Sequence, residues 1–137
     1  MQFDTSSPIW KQLVEEFSRR IVTGEWAAGS KMPGVRELAA DLGVNPNTAQ
    51  RALAELERRE LCRSERASGR FVTGSEERID STRAELASDA ADEFIRRARG
   101  LKMERSRARE LLEERWNGER QDGHDHHTTD VPDRGGA

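Results

Sequence analysis

The sequence predicts a mainly α-helical fold carrying one small β-hairpin: three short helices and the hairpin first, then two longer helices. Three observations predict it. Apolar residues recur at helical spacing through most of residues 9 to 116, the mark of helices burying one face each. Pro8, Gly24, Gly43, Pro46 and Gly100 cut that pattern into separate lengths, since proline starts and glycine stops helices. A strand-and-turn pattern occurs around Ser68-Gly69, between Cys62-Arg63-Ser64 and Arg70-Phe71-Val72, where a short turn would pair the flanks.

The first helix signal is Ser6-Ser7-Pro8, a capping hydroxyl before a proline suited to the first helical position. Ile9, Leu13, Phe17 and Ile21, with Trp10, Val14 and Val22 beside them, form one wide apolar face ended by Gly24. Glu25–Pro33 reads as a turn leading into a short strand or extended segment. Val35, Leu38, Ala39 and Leu42 mark a second helix closed by Gly43. Asn45-Pro46 starts a third, which buries Ala49, Ala52, Leu53 and Leu56 and turns Asn47, Thr48, Gln50, Arg51 and Arg58 outward. Two short helices joined by a tight turn, the second polar at its start, form a helix-turn-helix pattern, and a hairpin directly after it makes a winged helix.

Beyond Thr73-Gly74-Ser75 a narrow, alanine-rich stripe runs through Ile79, Leu86, Ala87, Ala90, Ala91, Phe94, Ile95 and Ala98, and Gly100 breaks it. Met103, Ala108, Leu111, Leu112 and Trp116 mark a last helix, expected to end at Asn117-Gly118. Two such helices cannot enclose a core alone, so their seam is expected to pack on an identical chain through Leu86, Ala90, Phe94, Ile95, Leu111, Leu112 and Trp116. The expected organisation is a winged helix-turn-helix domain at 1–74, a dimerisation hairpin at 75–117 and a disordered acidic tail at 118–137.

Composition agrees. In 137 residues, 23 Lys and Arg stand against 26 Asp and Glu, a net charge of −3, with 34% hydrophobic residues and no tyrosine. The apolar share is low for a self-sufficient domain of this length. Residues 1–74 hold 11 basic and 10 acidic residues, whereas 117–137 hold 2 and 5, so the acidity belongs to the last segment. That segment has one large apolar side chain, Val131, too little burial to offset the entropy of ordering it. No apolar run is long enough to span a membrane. The N-terminus lacks the pattern of a secretory signal, and a single cysteine fits a reducing, cytoplasmic setting. No nucleophile motif, phosphate loop or placed carboxylate pair suggests an enzyme, and no cofactor is implied.

The run Gly24-Glu25-Trp26, Gly29-Ser30-Lys31-Met32-Pro33 and Val35-Arg36-Glu37-Leu38-Ala39 resembles the GntR family of bacterial transcription regulators. Leu42-Gly43-Val44-Asn45-Pro46-Asn47-Thr48-Ala49-Gln50-Arg51-Ala52, Leu53–Leu61 and Ser68-Gly69-Arg70-Phe71-Val72 continue the match, which is closest to the small YtrA-like subfamily. The resemblance covers residues 8–73 closely and the helical remainder in architecture alone. It implies a DNA reader joined to a dimerisation region, with repression as the family's habit. About 64 residues follow the wing, too few for the family's larger effector domains. Two positions depart from the pattern: Gly34 stands where a capping Ser or Thr is usual, and the wing reads Glu65-Arg66-Ala67 where relatives are more basic and carry glycine at 67.

For such a reader, Asn47, Thr48, Gln50 and Arg51 sit at the start of the recognition helix, where free amides favour phosphates and polar base edges. Arg51 suits guanine, and Gln50 or Asn47 suits adenine. Arg36, matching the family's contact arginine, is expected at a phosphate or the groove edge. Arg66, Ser68, Gly69 and Arg70 form the wing's DNA side. Asn45 is included, although its position reads first as a helix cap. Arg58 and Arg59, among glutamates, read as a solvated charged face, and Trp10 and Trp26 as core or staple residues. Cys62 reads as a small buried hydrophobe. His124, His126 and His127 resemble an adventitious metal-binding tail, so no metal site is assigned. The expected partners are a double-stranded DNA operator and a second copy of the chain, with any effector left open. The alternative is a winged-helix protein-interaction module of antitoxin-like type, suggested by Glu65 and the acidic tail.

Overall fold

A computed structural model describes residues 1–128, with side chains described as far as Glu119. The elements run α1 (Ile9–Val22), α2 (Val35–Leu42), α3 (Pro46–Arg58), β1 (Cys62–Glu65), β2 (Gly69–Val72), α4 (Glu76–Gly100) and α5 (Arg105–Thr128). The chain forms two compact units, Met1–Asp89 and Ala90–Ala137.

The core of the first unit is the apolar stripe of each short helix turned inward. Leu13, Phe17 and Ile21 of α1, Leu38 of α2 and Leu53 and Leu56 of α3 are essentially inaccessible. Packing concentrates on α3, against which both α1 and α2 lie. Ala49 and Ala52 are fully buried on α3, and their small side chains let a neighbouring backbone approach closely. Trp26 closes the core, its ring centroid 5.3 Å from that of Phe17. Most of these residues are large aliphatic or aromatic groups, each worth about 1.5–3 kcal/mol on full burial.

Helix ends follow local chemistry, with one difference from expectation. Pro8 itself is the N-cap of α1, and no side chain caps that helix. The Ser6 hydroxyl instead donates to the Asp4 carboxylate, and Gln12 Nε2 holds the Ser7 carbonyl at 2.8 Å. Asn45 caps α3 as expected, its Oδ1 accepting from the Asn47 amide at 2.7 Å. Gly34 stands at the N-cap of α2 with no side-chain bond, so that helix lacks the cap a serine would supply.

Strands β1 and β2 pair antiparallel in the register Cys62↔Val72, Arg63↔Phe71, Ser64↔Arg70 and Glu65↔Gly69. The segment after α1 joins them through a Lys31↔Phe71 bridge, with the Met32 amide 2.9 Å from the Arg70 carbonyl. Cys62 is 4% exposed, and burial pushes its thiol up to about 11, which keeps it protonated and inert at neutral pH.

The first unit extends past the sequence-derived boundary at 74. Ile79 belongs to its core and Thr82 is buried, while Arg83 Nη2 donates to the last carbonyl of α1, that of Val22, 2.9 Å away. The early part of α4 is therefore a fourth core helix of that unit.

In the second unit, helix α5 continues through Asn117 and Gly118 to Thr128. A single interior glycine costs a helix only about 1 kcal/mol, and Glu119, Arg120 and Gln121 after it are good helix formers. The expected tail at 118–137 is thus helical over 118–128; residues 129–137 lie outside the described residues, as do the side chains of His124, His126 and His127. Between residues 90 and 119 only Ala98 is buried. Trp116 is 71% exposed, and Ile95 and Leu112 are exposed beside half-buried Phe94 and Leu111. No helix among the described residues is long and apolar enough to cross a membrane.

Candidate nucleic-acid interface

Burial divides α3 into two faces. Ala49, Ala52, Leu53 and Leu56 point into the core, so positions 47, 50, 51 and 54, at spacings of three and four, form a stripe on the opposite side. Asn47, Gln50 and Arg51 are exposed on it, Thr48 is half-buried, and exposed Ala54 keeps the C-terminal end of the stripe low. Low relief with polar groups at the N-terminal turn suits insertion into a groove. Arg58, one turn further on, pairs with Glu55, which also holds Arg59 at 2.8 Å. Those two guanidiniums hold the Glu55 carboxyl down at about 2, so the donors of Arg58 and Arg59 are partly taken up by one shared carboxylate.

Ion pairing separates the arginines of the first unit. Arg19, Arg20, Arg58, Arg59, Arg63, Arg70, Arg78 and Arg83 each have a carboxylate within salt-bridge distance. Among the described residues, Arg36, Arg51 and Arg66 have none. They lie on α2, on α3 and at the wing turn, and all three are exposed. Unpaired cations keep their charge and donors available for phosphates and base edges.

Arg51 has an aromatic neighbour instead of an acid. Its guanidinium carbon lies 4.2 Å from the Trp10 ring centroid, and Lys11 Nζ lies 5.8 Å from the same centroid. Trp10 is half-buried against the core, whereas Trp26 is within it.

The wing is fastened to α3. Arg70 Nε donates to Glu57 Oε1 at 2.8 Å, and the Ser64 hydroxyl donates to the same oxygen. Those bonds, Ser64 first and then Arg70, hold the Glu57 carboxyl below its ordinary value. Of the wing arginines, Arg66 is open and Arg70 is committed to Glu57. Glu65 is neutralised by Arg63 at 3.0 Å, which reduces the repulsion its carboxylate would exert on a phosphate. In the turn, Ala67 adopts φ +65° and Gly69 φ +110°. A β-carbon at Gly69 would stand 3.0 Å from Lys31 Cε, so glycine here serves both the backbone angle and the passage of the lysine.

Lys31 is the residue that sequence reasoning passed over. It is exposed, lies over the wing at Gly69, and lines an open groove of about 1000 Å³ together with Gly34, Glu37 and Ser68. Its place within the Gly29–Pro33 motif was visible, but the crossing onto the wing depends on the Lys31↔Phe71 bridge. No cluster of metal-ligating side chains occurs among the described residues.

The chain is similar in sequence and fold to known proteins. Residues 10–72 match the family described as "Bacterial regulatory proteins, gntR family". The uncharacterized HTH-type transcriptional regulator YhcF of Bacillus subtilis (strain 168) is 34% identical over 100 residues, 73% of this chain and 83% of its own. The HTH-type transcriptional repressor YtrA of the same organism is 35% identical over 69 residues, covering 50% of this chain and 53% of its own. A GntR family transcriptional regulator from Listeria monocytogenes has a similar structure, with a TM-score of 0.72 at 38% identity, covering 82% of this chain and 98% of that one. With its three helices and wing in the family's order and a relative matched over most of its length, the chain belongs to the gntR family of bacterial regulatory proteins.

Proposed function

We propose that this transcriptional regulator binds an inverted-repeat operator as a homodimer and represses by occluding the promoter. The observation that carries the reading is the segregation of unpaired arginines: Arg36, Arg51 and Arg66 fall on the helix-turn-helix and wing, while the other arginines of the first unit are held by carboxylates. In this reading the exposed stripe of α3 enters the major groove. Arg51 addresses a guanine edge, with Gln50 and Asn47 beside it. Arg36, Lys31 and Arg66 hold phosphates, Thr48 and the Ser68 and Gly69 amides lie close to the backbone, and Arg70 positions the wing through Glu57.

The homodimer rests on the second unit, where Ile95, Leu112 and Trp116 are exposed on helices that bury almost nothing by themselves. An isologous contact through Ala90, Phe94, Ile95, Leu111, Leu112 and Trp116 would give two readers related by a two-fold axis, and so a palindromic site; Leu86 falls in the first unit. Repression is suggested by the likeness of the reader segment to YtrA, a transcriptional repressor.

Gel-shift titration of a duplex selected by the protein tests this reading. Arg51→Ala should weaken it by about 1–3 kcal/mol and relax one base position, whereas Arg36→Ala should weaken all duplexes and lower the salt slope by about one unit. Equal affinity of the wild-type protein and both variants across salt concentrations would overturn it.

A further inference from the structure

We infer that Trp10 is a specificity-determining residue that acts through Arg51, by holding the guanidinium by its face so that its edge is free to read a base. The inference rests on the DNA-reading role proposed for Arg51. Three observations carry it: the guanidinium carbon 4.2 Å from the indole centroid, the half-buried seat of Trp10 against the core, and the absence of a carboxylate partner for Arg51 among the described residues.

An arginine can be ordered in two ways with opposite consequences. A carboxylate binds the N–H edge and consumes the donors that would address a base, as Glu57 does to Arg70 and Glu55 to Arg58. An aromatic ring binds the planar face and leaves the donors of the edge free. A guanine presents O6 and N7 to that same edge. An unsupported arginine on a helix surface would have to lose its rotamer freedom on meeting DNA; the contact with Trp10 removes part of that loss beforehand.

Trp10 is suited to this because its own position is fixed. It projects from α1, whose Leu13, Val14 and Phe17 are buried, so the ring is tied to the core and not to the reading surface. The ring also has Lys11 Nζ 5.8 Å from its centroid, a cation without a carboxylate partner among the described residues. Removing the ring would therefore release Arg51 without touching any group proposed to contact DNA.

The test is a double-mutant cycle on full-length protein, using a duplex selected from random DNA by the wild type and a scrambled duplex of equal composition. Trp10→Leu should lower affinity for the selected duplex about tenfold and for the scrambled one less than about twofold. Trp10→Phe, which keeps a ring, should restore most of the loss. In an Arg51→Ala background, Trp10→Leu should have no further effect. A loss from Trp10→Leu that persists undiminished beside Arg51→Ala, or no loss at all where Arg51→Ala does weaken binding, overturns the inference and leaves the function standing. If Arg51→Ala itself changes nothing, both fall together. Should the leucine variant unfold, the wild-type protein still decides: the Arg51 side-chain protons should show an upfield ring-current shift in NMR that Trp10→Phe reduces, and ordinary random-coil shifts would contradict the stack.

Discussion

Arg70 and Glu57 are thirteen positions apart in sequence, and the Arg70 Nε lies 2.8 Å from the Glu57 carboxylate. The pair joins the second strand of the wing to the last turn of the recognition helix, so the two parts proposed to meet DNA move as one body. Both side chains are partly shielded, at 19% and 34% exposure, and solvent screening limits the bond's worth to about 1 kcal/mol. Glu57→Gln should cost that much stability and, more tellingly, speed amide exchange in Gly69–Val72 while leaving α1 protected. Uniform exchange throughout would contradict the anchoring role.

The bonds from Ser64 and then Arg70 to Glu57 set an acid limit. The Glu57 carboxyl is held below its ordinary value of 4.5 when folded, so its contribution is present above about pH 4.5 and is lost as pH falls through the lower folded value. Between pH 6 and 8 the wing should show no pH dependence from this source. Below about 4.5, wild-type stability should fall more than that of Glu57→Gln, as measured by denaturant titration at each pH. Parallel curves for the two proteins would contradict it.

Ala67 carries a β-carbon in the left-handed region at φ +65°. That conformation costs a non-glycine residue about 1–2 kcal/mol, partly offset because glycine is freer in the unfolded chain by about 0.4–1 kcal/mol. Ala67→Gly should raise stability by on the order of 0.5–1 kcal/mol in urea unfolding. A loss of stability would show that the turn is not strained.

Asn45 is accounted for by its cap. Asn45→Ala should cost about 1 kcal/mol, while Asn45→Ser, which keeps a capping oxygen and removes the amide, should retain both stability and DNA affinity. An affinity loss above about tenfold in the serine variant, with stability intact, would make Asn45 a base reader.

Most of the reader was legible from local rules. The i, i+3, i+4, i+7 spacing of Val35, Leu38, Ala39 and Leu42, and the Asn45-Pro46 start, define α2 and α3 within a residue or two of their observed bounds. The pairing of Cys62–Ser64 with Arg70–Val72 is the observed register. What was not legible depends on partners distant in sequence. Arg66 and Arg70 look equivalent as a string, and only the fold brings Glu57 to one of them. Trp10 reads as a core residue until α3 places Arg51 over its ring. Ile79 belongs to a helix whose pattern appears continuous to residue 98, yet its packing assigns it to the first unit. Gly118 looked like a stop because glycine often ends helices, but its neighbours continue one.

Exposed apolar groups on the second unit should be covered by a second chain. Ile95→Glu combined with Leu112→Glu should shift sedimentation from dimer to monomer at micromolar concentration, and should lower affinity for a two-half-site duplex far more than for a single half-site. A wild-type protein that sediments as a monomer would contradict the proposed symmetry.

Whether the α3 stripe and wing read a symmetric DNA site is decided by selecting bound sequences from random duplex DNA with the protein. The expected result is one enriched motif with inverted-repeat symmetry, in which Arg51→Ala erases the preference at one equivalent base pair in each half. Recovery of sequences no different from the starting pool, at salt low enough for any basic surface to bind, would contradict it.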